Sequence, residues 1–258
     1  MGCDCTKSAH SLDSEAEEAV QLYEKALGYS HFPMEIVLKA LRRPEESKIG
    51  LPLEALKCNL EQVGVPASGL DRENSPLGAF YHHFQDEEGQ FSLQSLTLLT
   101  VLLSESPAKQ KSEAIFSLFD TEASQALPSS SANEVIQELC DIALLYLPMY
   151  AEMETAAVGE EHALRKVKRY SSRLAQGYEA LLGCLQALVV RGRAELTYEE
   201  FVDTVVTQAA YLFDPKELRA RAVAARPNVP KPGEDRRASH MKFASANITE
   251  KPVSSRPN

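Results

Sequence analysis

Two groups of residues in this sequence are spaced for chemistry. The first is the opening stretch Met1-Gly2-Cys3-Asp4-Cys5-Thr6-Lys7. Removal of Met1 exposes the Gly2 amine. N-acylation there calls for a small residue next and Ser or Thr at the sixth position, which Thr6 supplies, and Lys7 adds a favourable basic neighbour. A single myristoyl chain holds a protein on a bilayer only marginally, so a second signal decides residence, and the Cys3 and Cys5 thiols stand where reversible S-palmitoylation supplies it. The sequence therefore predicts lipidation at Gly2, Cys3 and Cys5 and a place on the cytoplasmic face of a membrane, plasma or flagellar.

The second group is a set of polar breaks between helical stretches, each holding a single apolar residue. In the clearest, Ala114-Ile115-Phe116-Ser117-Leu118-Phe119 leads into Asp120-Thr121-Glu122-Ala123-Ser124-Gln125-Ala126-Leu127. This resembles an entering helix and calcium loop of the EF-hand family, with Asp120, Glu122 and Ser124 on loop positions 1, 3 and 5 and Leu127 on the apolar position 8. Position 12, where the family places a bidentate Glu, is Ser131, and position 6 is Gln125 rather than glycine.

The preceding break, Gln85-Asp86-Glu87-Glu88-Gly89-Gln90, has the glycine and an apolar position 8, is one residue short, and carries Ser95 at position 12. In the last, Leu196 takes position 8 and Glu200 position 12, while Arg191 and Arg193 stand at positions 3 and 5. In the first, Leu51 takes position 8 and Pro44, Glu46 and Lys48 offer one carboxylate. Spanning about residues 33–213, the chain is similar to N-myristoylated calcium sensors of the recoverin and calcineurin-B-like type. That resemblance implies paired helix-loop-helix units whose position-8 residues form short β-bridges.

The function expected is a membrane-tethered EF-hand-like adaptor or scaffold that binds a partner helix or peptide, largely without calcium. Groove residues on this reading are Phe80, Phe84, Phe91, Leu96, Phe116, Phe119, Leu144 and Leu147, each equally suited to the core. The alternatives are a working calcium sensor, with calcium as its one cofactor, and a structural component of a membrane-linked or flagellar cytoskeleton.

Other reactive residue types point to structure. His82 and His83 are adjacent, about 100° apart on a helix, and cannot share a metal on one face. Cys58, Cys140 and Cys184 lie in apolar helical runs and are read as small buried hydrophobes. No Gly-rich phosphate loop, nucleophile elbow or HExxH motif occurs, so the chain is read as no enzyme. Arg165-Lys166-Val167-Lys168-Arg169-Tyr170-Ser171-Ser172-Arg173 clusters five cations, suited either to anionic headgroups or to a solvated face. Arg236-Arg237-Ala238-Ser239 resembles a basophilic kinase site at Ser239.

The elements that must position these groups are helical. The 258 residues are 44% apolar and 25% charged, with five cysteines and no CxxC pair, a composition of ordinary globular type with reduced thiols. Net charge is -10, and residues 226–258 hold seven Lys/Arg against three Asp/Glu, which leaves -14 on the remainder. An acidic body argues against nucleic acid as a partner. Amphipathic spacing predicts helices at about 14–28, opened by a Ser14-Glu15-Ala16-Glu17 capping box and closed by Gly28, and from Pro33 to Leu41. Further helices are expected at about 51–64, 75–84, 92–104, 107–119, 131–147, 160–190 and 197–213. Strand alternation is almost absent, so the fold class is all-α: an acylated leader 1–13, pairs 14–105 and 106–215, and a basic tail 226–258 whose Pro-rich composition predicts disorder.

Overall fold

The computed structural model describes residues 5–41, 50–72, 74–120 and 123–225, with side chains from Asp13 onward. The expectations for Gly2, Cys3, Glu122, Ser239 and the basic tail lie outside the described residues, as does the side chain of Cys5. What is described lies within the unit Met1–Arg226.

The chain is mostly helical, as its periodicity predicts. Helix α1 runs Cys5–Ala26 and ends at Gly28, whose φ of 82° suits a residue without a Cβ. It begins earlier than the capping-box pattern suggested. Ser14 lies inside the helix with its Oγ 3.4 Å from the Glu18 carboxylate, and Glu17 is taken by partners on other helices. The tertiary partners outcompete the local cap. Helices α2 (Met34–Leu41), α3 (Leu53–Val63) and α4 (Pro76–His82) follow; Ser75 caps α4 by accepting from the Gly78 N–H, with Pro76 at the first turn.

Helix α5 (Leu93–Leu103) forms the centre of the core. Leu96, Leu98, Leu99, Val101 and Leu102 are all buried, on every side of the helix. An apolar surface all round is stable only where neighbours cover it all round, and α2, α6 (Ala108–Phe119) and α7 (Ser129–Asp141) do so. After α7, residues 142–146 form a widened π-turn, and α8 (Leu147–Val158) continues in the same direction. The single helix expected at 131–147 is thus interrupted and extended. Pro148 has no N–H to continue the ladder, and the widened turn just before it accommodates the ring.

Helix α9 (Glu161–Val189) is the longest described element. Val167, Tyr170, Leu174, Leu181 and Leu185 bury one stripe of it. Helix α10 (Tyr198–Gln208) starts from a complete Thr197/Glu200 capping box. Helix α11 (Pro215–Ala225) was not anticipated. Asp214 accepts from the Glu217 N–H ahead of Pro215, a start signal legible in Asp-Pro-x-Glu. It packs closely on α9 because Gly177 has no Cβ; one placed there would collide with the Ala222 carbonyl. The only sheet among the described residues pairs β1 (Ala126–Pro128) with β2 (Glu195–Thr197), antiparallel.

Candidate functional site

The polar breaks come together in two pairs. Leu127 sits opposite Leu196 in the β1–β2 register, and both are fully buried. Between Leu51 and Phe91, which falls on position 8 counting back from Ser95, two backbone hydrogen bonds form: the Leu51 N–H donates to the Phe91 carbonyl at 2.9 Å, and the Phe91 N–H to the Leu51 carbonyl at 2.8 Å. Each apolar loop residue pins its loop to the core while its backbone ties two loops together.

The acidic groups of these loops are engaged by protein donors. Asp120 Oδ1 accepts from the Ser124 N–H (2.7 Å) and Oγ–H (2.9 Å), and Oδ2 accepts from the Gln125 N–H (2.9 Å). Partial burial works against ionisation of Asp120, but these donors outweigh it and hold the carboxyl below its ordinary value. They close a tight turn with Ala123 and Gln125 at positive φ, 51° and 60°. Of the three predicted ligands, Asp120 and Ser124 therefore meet each other, and Glu122 lies outside the described residues. In the second loop Asp86 Oδ1 accepts from the N–H groups of Glu88 (2.9 Å) and Gln90 (2.8 Å), with Gly89 at φ 75°.

In the last loop Glu200 faces a cation supplied by the chain. Its Oε1 lies 2.8 Å from Arg193 Nη1, and its Oε2 accepts from the Thr197 N–H at 3.0 Å. The Thr197 N–H, helped by Arg193, holds the Glu200 carboxyl below its usual value. The Arg193 carbonyl accepts from Ser129 Oγ at 2.5 Å, and Tyr198 donates to Glu113 at 2.9 Å, so α6, α7 and α10 are all tied to this loop pair. No group of three or more His, Cys, Asp or Glu side chains converges for a metal ion among the described residues.

The aromatic and aliphatic residues considered for a groove are interior. Phe80, Phe84, Phe91, Leu96, Phe116, Leu144 and Leu147 belong to the core, and Phe119 packs partly buried against it. Of those residues Phe91 also reaches an open concavity among the described residues: a cleft of about 1000 Å³ between the α3–α4 region and α8, with Leu53, Leu70, Phe91, Met149 and Met153 as apolar lining and His82 and His83 at its edge; a second open pocket lies between α2 and α6, lined by Met34, Leu38 and Ala114. His82 Nδ1 lies 2.5 Å from Gln85 Oε1. His83 stacks on Tyr146 with ring centroids 4.6 Å apart, and burial lowers its pKa. Cys140 is buried, which pushes its thiol up to about 12. Cys58 and Cys184 are exposed, contrary to expectation: both fall on the outward side of their helices, which an apolar run around them does not reveal.

A third arrangement had no forecast in the sequence. Arg219 of α11, completely buried, donates to Glu17 of α1 (Nη2 to Oε1, 2.8 Å; Nε to Oε2, 2.9 Å) and to Glu24 Oε2 at 3.0 Å. Burial raises the Glu24 pKa although Arg219 lies against it. Tyr170 of α9 donates to Glu17 at 2.6 Å, and two further ion pairs join α9 to α1, Lys166 to Glu15 and Arg173 to Asp13. Helix α1 is thus clamped onto α9 and α11 by charge. Of the five clustered cations, two are spent on this contact. No helix among the described residues is long and apolar enough to cross a membrane.

Comparison with known proteins returned no match: no protein-family model, no curated protein and no solved structure matches this chain.

Proposed function

We propose that this protein is a membrane-tethered EF-hand-like adaptor whose paired loops are structural and work largely without calcium. The observation that supports it best is the treatment of the loops: the four apolar loop residues pair two by two, Leu51 with Phe91 and Leu127 with Leu196, while Asp120 and Glu200 use both carboxylate oxygens, and Asp86 its Oδ1, on protein donors. A loop whose carboxylates already accept backbone N–H groups and whose position-5 side chain is itself a guanidinium gains little from a divalent ion. The partner is a helix or peptide, and its docking surface is the cleft lined by Leu53, Leu70, Met149 and Met153, where thioether side chains adapt to an apolar face.

Calorimetric titration of the full, unacylated chain with calcium is the test. No saturable heat below millimolar concentration is expected. Micromolar saturation would establish the calcium-sensor reading instead. The tether is tested by cell fractionation: Gly2→Ala becomes soluble, and Cys3→Ser/Cys5→Ser binds weakly and redistributes. A Gly2→Ala protein that stays fully on membranes removes the acyl anchor from the reading.

A further inference from the structure

We propose that the outer face of α9 bearing Arg165, Lys168 and Arg169 is a docking surface for an anionic lipid bilayer. The inference rests on the acyl-anchor reading and adds the chemistry of the membrane and the side of the protein that meets it. The three residues are spaced i, i+3 and i+4, so they share one face, opposite the buried stripe of Val167, Tyr170 and Leu174. All three are exposed, and among the described residues none is ion-paired.

The stripe has a cost that the fold leaves uncompensated. Like charges at i,i+3 and i,i+4 weaken a helix, and here Arg165 faces Lys168 and Arg169, and Arg169 also faces Lys166 and Arg173. The cluster sits in the N-terminal half of α9, where the helix dipole gives cations no benefit. Glu161 is the one carboxylate within a turn of any of the three. Lys166 and Arg173 find partners in α1; Arg165, Lys168 and Arg169 do not. In a chain of net charge -10, a concentrated uncompensated basic face is complementary to an anionic surface outside the molecule. The neighbouring helix names that surface: α1, which leads from the acylation signal, lies against this same stretch of α9. One acyl chain binds marginally, and a basic patch is a sufficient second signal.

The experiment uses the full chain, myristoylated at Gly2 during expression, and measures sedimentation with phosphatidylcholine vesicles and with vesicles in which about a third of the lipid is phosphatidylserine. Phosphatidylserine is expected to raise the partition coefficient by on the order of 10²-fold, about one basic residue's contribution for each member of the stripe. Arg165→Gln/Lys168→Gln/Arg169→Gln loses that increment and keeps the phosphatidylcholine binding, whereas Arg165→Lys/Arg169→Lys retains both. Because all three side chains are exposed, unchanged far-ultraviolet circular dichroism is expected and separates lost contact from lost folding. An increment that persists in the glutamine variant, or that is missing from the wild type, overturns the proposal while leaving the anchor reading in place. If myristoylation confers no phosphatidylcholine binding, the anchor reading fails. The stripe is then judged on pure phosphatidylserine vesicles, from which only the glutamine variant is to be released. Binding of a polyglutamate peptide that the glutamine variant loses, with lipid partition unaltered, assigns the stripe to an acidic protein and rejects the bilayer.

Discussion

Arg219 and Glu17, 202 residues apart in the chain, form a buried bidentate ion pair, Nη2 to Oε1 at 2.8 Å and Nε to Oε2 at 2.9 Å. Tyr170 and Glu24 complete the cluster, so both oxygens of Glu17 and two of the three guanidinium nitrogens are used. Nη1 is buried without a partner among the described residues. A buried pair is weak evidence of net stabilisation, yet removing one member leaves a charge uncompensated, which costs about 3–5 kcal/mol.

Arg219→Ala is therefore expected to lower the urea unfolding free energy by about 3–5 kcal/mol, and to release α1 before the rest of the fold. Hydrogen exchange at Val20 and Leu27 reads the release. If Arg219→Ala costs no more than a surface substitution, or if α1 stays protected, the ion pair does not hold α1 in place. The triple variant Arg219→Met/Glu17→Leu/Glu24→Leu is expected to recover much of the loss, since with both carboxylates removed along with the guanidinium no charge is left orphaned.

Lys111 sets a pH dependence. Its ammonium group is buried between the carbonyls of Leu102 and Phe213, each 3.4 Å away, and burial pulls its pKa from 10.5 down to about 8, against the opposing pull of Asp214 and Glu24. The folded protein thus releases this proton at lower pH than the unfolded chain. Between the two values the unfolded state binds more protons, and stability rises with pH, by about 2 kcal/mol between roughly pH 7.5 and roughly pH 9.5. Buried tyrosines reverse the trend above about pH 10: Tyr29 and Tyr81 keep their protons in the fold and lose them on unfolding. Urea midpoints at the two lower pH values should rise in the wild type and stay level in Lys111→Met; parallel slopes in the two proteins would remove Lys111 as the cause.

Asn59 is a stability reserve. It is fully buried on α3, and neither its amide nitrogen nor its carbonyl oxygen meets a hydrogen-bonding group among the described residues. Burying an amide without partners costs about 1–3 kcal/mol on the mutational scale, and leucine has the same branched skeleton of side-chain heavy atoms, with bulkier methyl groups and no polar atom. Asn59→Leu is expected to raise the melting temperature, and Asn59→Asp to lower it sharply. A lower melting temperature for both Asn59→Leu and the smaller Asn59→Ala would remove the unpartnered amide as a net cost to the fold.

What the sequence determined by itself is whatever is written in local spacing. The helices expected at 75–84, 92–104 and 107–119 are found at Pro76–His82, Leu93–Leu103 and Ala108–Phe119, because apolar periodicity and flanking Ser, Pro and Gly act within a few residues. The single apolar residue in each polar break was legible for the same reason, since a lone Leu or Phe among polar neighbours has to find the core. Tertiary structure decided everything that depends on which faces meet. Phe80 and Met149 are both apolar residues on helices, yet one is sealed in the core and the other lines an open cleft. Cys140 and Cys184 sit in similar runs, and the register of packing buries one and exposes the other. Glu17 read as half of a local cap until Arg219, Tyr170 and the burial of α11 gave it stronger partners. Helical periodicity is a property of neighbouring residues, whereas a charge pair closed across 202 residues follows only from the packing that brings α1, α9 and α11 together.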